Sequence, residues 1–246
     1  MSRKVRKLHR EDSIVFEFDG MSNIKEQYNR LKDNILYFAV DGKNVIQVES
    51  TVSSEGKTTT VANLAVALGL SGKKVVLLDL DFHKARLHRS FGTKNEEGLA
   101  EYIAGKISRD AIIKKTKFDN VSIINRGGEI NNASVVLTSK KLKDLIEYLK
   151  KEYDFVILDC PPVLLVSDFI HIGQLSDGIL FTVAYGQTKK KQVKEAISII
   201  KQNGFNIIGA VYTFYDPKKS NSYEEYSYHY GYYYGYGDKE KSNQGK

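Results

Sequence analysis

Residues 45–60 read in order as a strand, a phosphate-binding loop and a helix, and no other feature limits the possible folds of this chain so strongly. The β-branched run Val45-Ile46-Gln47-Val48 suits a buried strand, and Val61, Leu64, Ala65 and Leu68 recur at helical spacing after Lys57. The loop between them closes with Gly56-Lys57-Thr58. Such a loop turns successive backbone N–H groups toward one point at a helix N-terminus, where the helix dipole also favours negative charge. A polyphosphate fits there. Ser53, Ser54, Glu55, Gly56, Lys57, Thr58 and Thr59 are expected to surround it, with Lys57 neutralising the β- and γ-phosphates and the Thr58 hydroxyl holding Mg²⁺. Thr51 stands where the pattern G-x-x-x-x-G-K-[ST] has its first glycine.

The rest of the chain alternates in the same manner. Ile24, Tyr28, Leu31, Ile35 and Phe38 form one apolar stripe and predict an amphipathic helix from Ser22, set to pack on the core or on another subunit. Fully apolar strands are expected at 74–79 and 154–159, with further strands at 121–125, 178–183 and 206–212. Helices are expected at 84–91, 99–104, 134–151 and 189–203. Strands alternating with helices predict an α/β fold, a doubly wound and mainly parallel sheet flanked by helices, with ligands at the carboxyl ends of the strands. Residues 1–21 form a basic N-terminal arm whose first twelve residues are expected to be disordered, with a patch for lipid headgroups or an acidic partner as the alternative reading of those twelve. One domain is expected over 22–215. From Asp216 aliphatic residues vanish, and 216–246 is expected to be a mobile tail, because it lacks the apolar surface that would offset its ordering entropy.

Composition narrows the setting. Thirty-seven basic and thirty acidic residues leave a formal charge of +7, which permits anionic partners without demanding them, and no nucleic acid is expected. Cys160 is the only cysteine, so an intrachain disulfide is impossible and a reducing, cytoplasmic setting is expected. No apolar run approaches the roughly 20 residues that span a bilayer. Membrane association is therefore expected only through a partner.

Three aspartates end aliphatic runs: Asp79 and Asp81 in Leu77-Leu78-Asp79-Leu80-Asp81, and Asp159 in Val156-Ile157-Leu158-Asp159-Cys160-Pro161-Pro162. The sheet would deliver all three to the edge where the phosphate loop lies. Metal-nucleotide chemistry needs oxygen ligands for Mg²⁺ and a group that orients or deprotonates the nucleophile, and aspartates supply both. With Gly56-Lys57-Thr58, these segments resemble the Walker A, A′ and B motifs of the bacterial tyrosine kinases of capsular and extracellular polysaccharide synthesis, a P-loop NTPase family. The resemblance implies ATP and Mg²⁺ as cofactors and Lys57 as phosphate ligand. It implies that Thr58, Asp81 and Asp159 organise the metal and that Asp79 is the base for a tyrosine hydroxyl. His83 departs from it, because the family carries arginine there. The family's oligomerisation pattern Glu-x-x-Arg-x-x-Arg is matched outright only by Glu26, with Lys32 in its last position. Related ATPases often carry an adenine-contacting asparagine near Thr213.

Tyr223, Tyr226, Tyr228, Tyr230, Tyr232, Tyr233, Tyr234 and Tyr236 are half of the chain's 16 tyrosines. By the resemblance they are phosphoacceptors; by composition alone they make an aromatic, Gly-rich low-complexity extension. The family's Gram-positive type separates the kinase from a membrane activator, a polysaccharide co-polymerase-like protein. The resemblance implies that partner, recruitment to the inner face of the cell membrane, self-association into a homo-oligomer or ring, and a cognate tyrosine phosphatase. Two other readings stay open. One is a positioning ATPase of the MinD/ParA type, whose signature lysine, expected near Val52, is missing; the other is a weakly catalytic nucleotide-binding scaffold.

Overall fold

Aliphatic runs with both faces apolar belong in the interior of a parallel sheet, and they occupy that place in the computed structural model, which describes residues 14–215. The strands are β1 (Val45–Ser50), β2 (Val75–Asp79), β3 (Lys114–Lys115), β4 (Val121–Ile124), β5 (Phe155–Asp159), β6 (Gly178–Ala184) and β7 (Ile207–Thr213). They form one sheet in the order β3-β4-β2-β5-β1-β6-β7. All neighbours are parallel except β3 and β4. The helices are α1 (Ser22–Phe38), α2 (Lys57–Leu70), α3 (Leu87–Ser90), α4 (Leu99–Ile103) and α5 (Arg109–Ile112). They continue with α6 (Ala133–Leu137), α7 (Lys140–Glu152), α8 (Asp168–Gly173) and α9 (Lys190–Gln202).

The alternation of side chains along each strand divides the core into two layers. Ile46, Val48, Leu77 and Ile157 pack with Val61, Leu64 and Leu68 of α2 and with Ile35 of α1. Val76, Leu78, Val156 and Leu158 face the other way, toward Leu142, Ile146 and Leu149 of α7. Ile179 and Phe181 of β6 pack with Phe169 of α8 and with Ala196 and Ile200 of α9. The register brings Asp79 opposite Asp159 and Val48 opposite Asp159, so the carboxyl ends of β2, β5 and β1 lie side by side.

Four local expectations change. The helix expected over 134–151 is two helices, because the Ser139 hydroxyl accepts the Leu142 N–H at 3.2 Å and starts α7 with a cap of its own. Ile24, at the head of the expected apolar stripe, is 43% exposed, and only Ile35 of α1 is fully buried. Packing begins upstream of residue 22, since Ile14 is buried and a 3-10 turn follows at Val15–Glu17. The short elements β3, α5 and α8 carry too few residues to show a period. Residues 1–13 and the tail 216–246, with all eight of its tyrosines, lie outside the described residues.

Candidate active site

The loop between β1 and α2 is held by a carboxylate of its own. Glu55 is buried, and its Oε2 accepts the backbone N–H groups of Thr51, at 2.5 Å, and Val52, at 3.0 Å. The Thr188 hydroxyl donates to Oε1. The Thr213 hydroxyl donates to the Glu55 carbonyl at 2.7 Å, and a Cβ on Gly56 would lie 3.0 Å from Thr213 Cγ2. Thr213 therefore contacts the loop itself. The backbone explains the missing first glycine. Positive φ occurs at Ser54 (65°) and Gly56 (77°) but not at Thr51, so the backbone there does not call for glycine.

Lys57 and Thr58, the first two residues of α2, both reach Asp159 at the end of β5. Lys57 Nζ lies 2.5 Å from Oδ1, and the Thr58 hydroxyl donates to Oδ2 at 2.8 Å. Burial alone would discharge Lys57, but Asp159 and Asp81 hold its pKa above the ordinary lysine value. Burial also raises the Asp159 pKa, against the pull of Lys57. Asp79 is fully buried, and its pKa lies well above the ordinary carboxylate value because of burial and then of Asp159. Its Oδ2 accepts the Leu87 N–H at 3.2 Å, while Oδ1 is buried with no partner among the described residues. Asp81 Oδ1 accepts the Lys84 N–H at 2.8 Å. His83 Nε2 lies 3.2 Å from Asp168 Oδ2, joining the loop after β2 to the start of α8.

Among the described residues no three His, Cys, Asp or Glu side chains converge into a preformed metal cage. Mg²⁺ does not require one, because it usually takes one or two carboxylates and completes its shell with phosphate oxygens and water. The oxygens of Thr58, Asp81 and Asp159 fit that habit, and Asp79 Oδ1 beside them is buried without a partner among the described residues.

Serines 53 and 54 are exposed at the loop tip, whereas Lys57 and Glu55 are buried. Glu26 and Lys32 stand apart from the site on α1. Each pairs locally, Glu26 with Arg30 Nε at 3.4 Å and Lys32 with Asp33 at 3.2 Å. A buried acid near the site was not anticipated. Glu49 of β1 points to the face opposite Val48, where its Oε1 accepts from Gln47 Nε2 at 2.6 Å and its Oε2 has no partner among the described residues. Burial raises its pKa from an ordinary 4.5 to about 8. The available signal was an acid inside a strand that also carries Val45, Ile46 and Val48.

Residues 43–206 match a protein family described as an AAA domain. The chain is 30% identical over 228 residues to the tyrosine-protein kinase YwqD of Bacillus subtilis, covering 92% of this chain and 95% of that one. It is 31% identical over 218 residues to the tyrosine-protein kinase etk of Escherichia coli, but that match covers 87% of this chain and only 30% of the longer relative. The solved kinase domain of the Escherichia coli enzyme superposes with a TM-score of 0.69 at 31% identity, over 72% of this chain and 71% of that one. The septum site-determining protein MinD of Pyrococcus horikoshii, solved with Mg-ADP, superposes with a TM-score of 0.61 at 27% identity over 72% of each chain.

Proposed function

The chain belongs to the bacterial tyrosine-protein kinases, and from that premise we propose that it transfers the γ-phosphoryl group of ATP to tyrosine, with its own tail as acceptor. The observation that carries this reading is the convergence of Lys57, Thr58 and Asp159 beside the buried Asp79 at the mouth of the sheet. Lys57 leaves Asp159 for the phosphates when nucleotide arrives. Thr58, Asp81 and Asp159 would hold Mg²⁺, which would supply positive charge to offset that of the phosphates. Asp79 receives the proton of the tyrosine hydroxyl; positive charge nearby favours its ionised form against the burial that disfavours it.

The acceptors are Tyr223, Tyr226, Tyr228, Tyr230, Tyr232, Tyr233, Tyr234 and Tyr236, modified in trans between neighbours associated through Glu26 and Lys32 of α1. Each phosphate brings about −1.5 to −2 charges, so a modified tail is repelled from the aspartates of the mouth. A membrane activator recruits the protein to the inner face of the cell membrane, a cognate phosphatase resets it, and the cycle regulates polysaccharide polymerisation and export.

YwqD, which this chain matches over nearly its full length, supports the reading with a separate activator. The MinD-type reading shares only the fold, for no lysine occupies the stretch near Val52. Intact-mass measurement of the protein with Mg-ATP and its activator tests the proposal: successive phosphate additions confined to the tail support it. An unchanged mass in a sample that consumes ATP refutes it.

A further inference from the structure

The phosphate loop is gripped from both sides, because β1 lies between β5 and β6 in the sheet. On the β5 side Lys57 and Thr58 reach Asp159, contacts that the proposed reaction rearranges. On the other side stand the ends of β6 and β7, and the grip there passes through Glu55. Its carboxylate is buried and accepts three hydrogen bonds, from the Thr51 N–H at 2.5 Å, the Val52 N–H at 3.0 Å and the Thr188 hydroxyl. Its backbone carbonyl accepts the Thr213 hydroxyl at 2.7 Å. Three donors satisfy a charged group that burial would otherwise penalise, and together they fix its orientation.

Those bonds hold a loop that would otherwise relax. Ser54, just before Glu55, sits at φ 65°, a conformation that a residue with a Cβ keeps only where its surroundings impose it. Gly56, just after, sits at φ 77°, and its carbonyl accepts the Thr60 N–H and the Thr60 hydroxyl, each at 2.9 Å. Glu55 is thus anchored by side chain and carbonyl between two residues of left-handed backbone, one residue before the start of α2 at Gly56-Lys57. Thr188 is itself fixed from β6, since the N–H groups of Gln187 and Thr188 both donate to the Ala184 carbonyl at 3.1 Å. Tyr185, Gly186 and Gln187 of the same turn are exposed. A displacement of that surface turn reaches the phosphate loop through the Thr188 hydroxyl.

We propose that Glu55 is a positioning residue that sets the phosphate loop in its nucleotide-receiving shape, and that the turn between β6 and α9 adjusts nucleotide affinity through Thr188. Both roles rest on the reading of the loop as a nucleotide site. The ligand class is a nucleoside triphosphate with Mg²⁺. Glu55 supplies position rather than charge: a carboxylate near phosphates repels them, so its use lies in the backbone groups that it holds.

Calorimetric titration of Mg-ATP into the full-length chain tests the proposal, alongside melting of each variant without nucleotide. Glu55→Ala is expected to weaken binding about tenfold or more, and Thr188→Val about three- to tenfold. Glu55→Gln keeps an oxygen for the loop N–H groups and a nitrogen that donates to the Thr188 hydroxyl, so it should bind within about threefold of the parent, and Thr188→Ser within about twofold. Because Thr188 acts through Glu55, adding Thr188→Val to Glu55→Ala should weaken binding little further. A contact that serves the fold alone would lower the melting temperature and leave affinity unchanged. Parent-like affinity of Thr188→Val overturns the role of the turn, whether or not Glu55→Ala folds. Parent-like affinity of a folded Glu55→Ala overturns the positioning role, as does a Glu55→Gln variant that binds about tenfold or more weakly than the parent. A parent chain that binds no Mg-ATP refutes the nucleotide reading itself, a result distinct from these.

Discussion

Helices α1 and α2 are consecutive long helices, one rich in charged residues and the other mostly apolar, and the fold uses them in opposite ways. In α2 every residue from Thr60 to Gly69 is buried, whereas α1 fully buries only Ile35. The difference lies in what surrounds them. Helix α2 follows a central strand and is enclosed by the sheet and by α1, so each of its positions is fixed by packing. Helix α1 lies outside it and keeps a charged face whose ion pairs are local and exposed. Chemistry that depends on sub-ångström placement sits at the start of the enclosed helix. Association is proposed for the open one.

The largest expected effect is on the enclosed side. Lys57→Met should lower phosphotyrosine formation by at least about a hundredfold, since it deletes the cation preorganised for the phosphates, while the far-ultraviolet circular dichroism stays that of the parent. Phosphotyrosine equal to the parent's would remove α2 from the chemistry altogether.

Next in size is a pH effect beneath the loop. A carboxyl whose folded pKa is raised gives its full contribution to stability below the unfolded value and loses it as pH rises through the folded one. For Glu49 that window runs from about 4.5 to about 8. Chemical denaturation across this range should show the parent losing up to a few kcal/mol that Glu49→Gln retains. Identical slopes in the two proteins would mean that the acid is not held neutral by burial.

Close packing of α2 gives a smaller effect. A Cβ at Gly69 would lie 2.6 Å from Val121 Cγ2 and 2.9 Å from the Asp119 carbonyl, so Gly69→Ala should cost about 1–3 kcal/mol in equilibrium unfolding. A neutral result would show that β4 yields to accommodate the helix.

On α1 the expected change is the smallest. Glu26→Ala removes an exposed pair and should alter monomer stability by less than about 0.5 kcal/mol, while shifting the oligomer distribution seen by light scattering. A stability loss comparable to that of Gly69→Ala would erase the contrast between the helices.

The strands and α2 were readable because burial on both faces leaves a continuous apolar run, and because a glycine before Lys57-Thr58 marks a helix start. Asp79, Asp81 and Asp159 were readable as ends of such runs. Glu49 was not, because an acid among Val45, Ile46 and Val48 obeys the strand's alternation while contradicting its chemistry. The break at Ser139 was hidden by a helical period that continues across it. Glu55 was placed among the residues around the phosphate, yet its carboxylate fastens the loop from behind, a role set by a threonine 133 positions away. Spacing along the chain cannot reveal such a partner.

The strand order also governs when the site comes into existence. β5 lies between β2 and β1, and β1 does not pair with β2. A nascent chain that has not yet delivered residues 155–159 holds β1 without either of its partner strands and β2 paired only with β4, and Lys57 waits for a partner 102 residues ahead. Synthesis therefore brings Lys57 and Asp159 together late, in the same step that joins β2 to β1 through β5, because contacts so distant in sequence form only after the intervening chain is ordered. A ribosome-bound intermediate that stops short of β5 carries the phosphate loop but no Asp159, so the proposed site comes into existence only with β5, while β6 and β7 are still to be added.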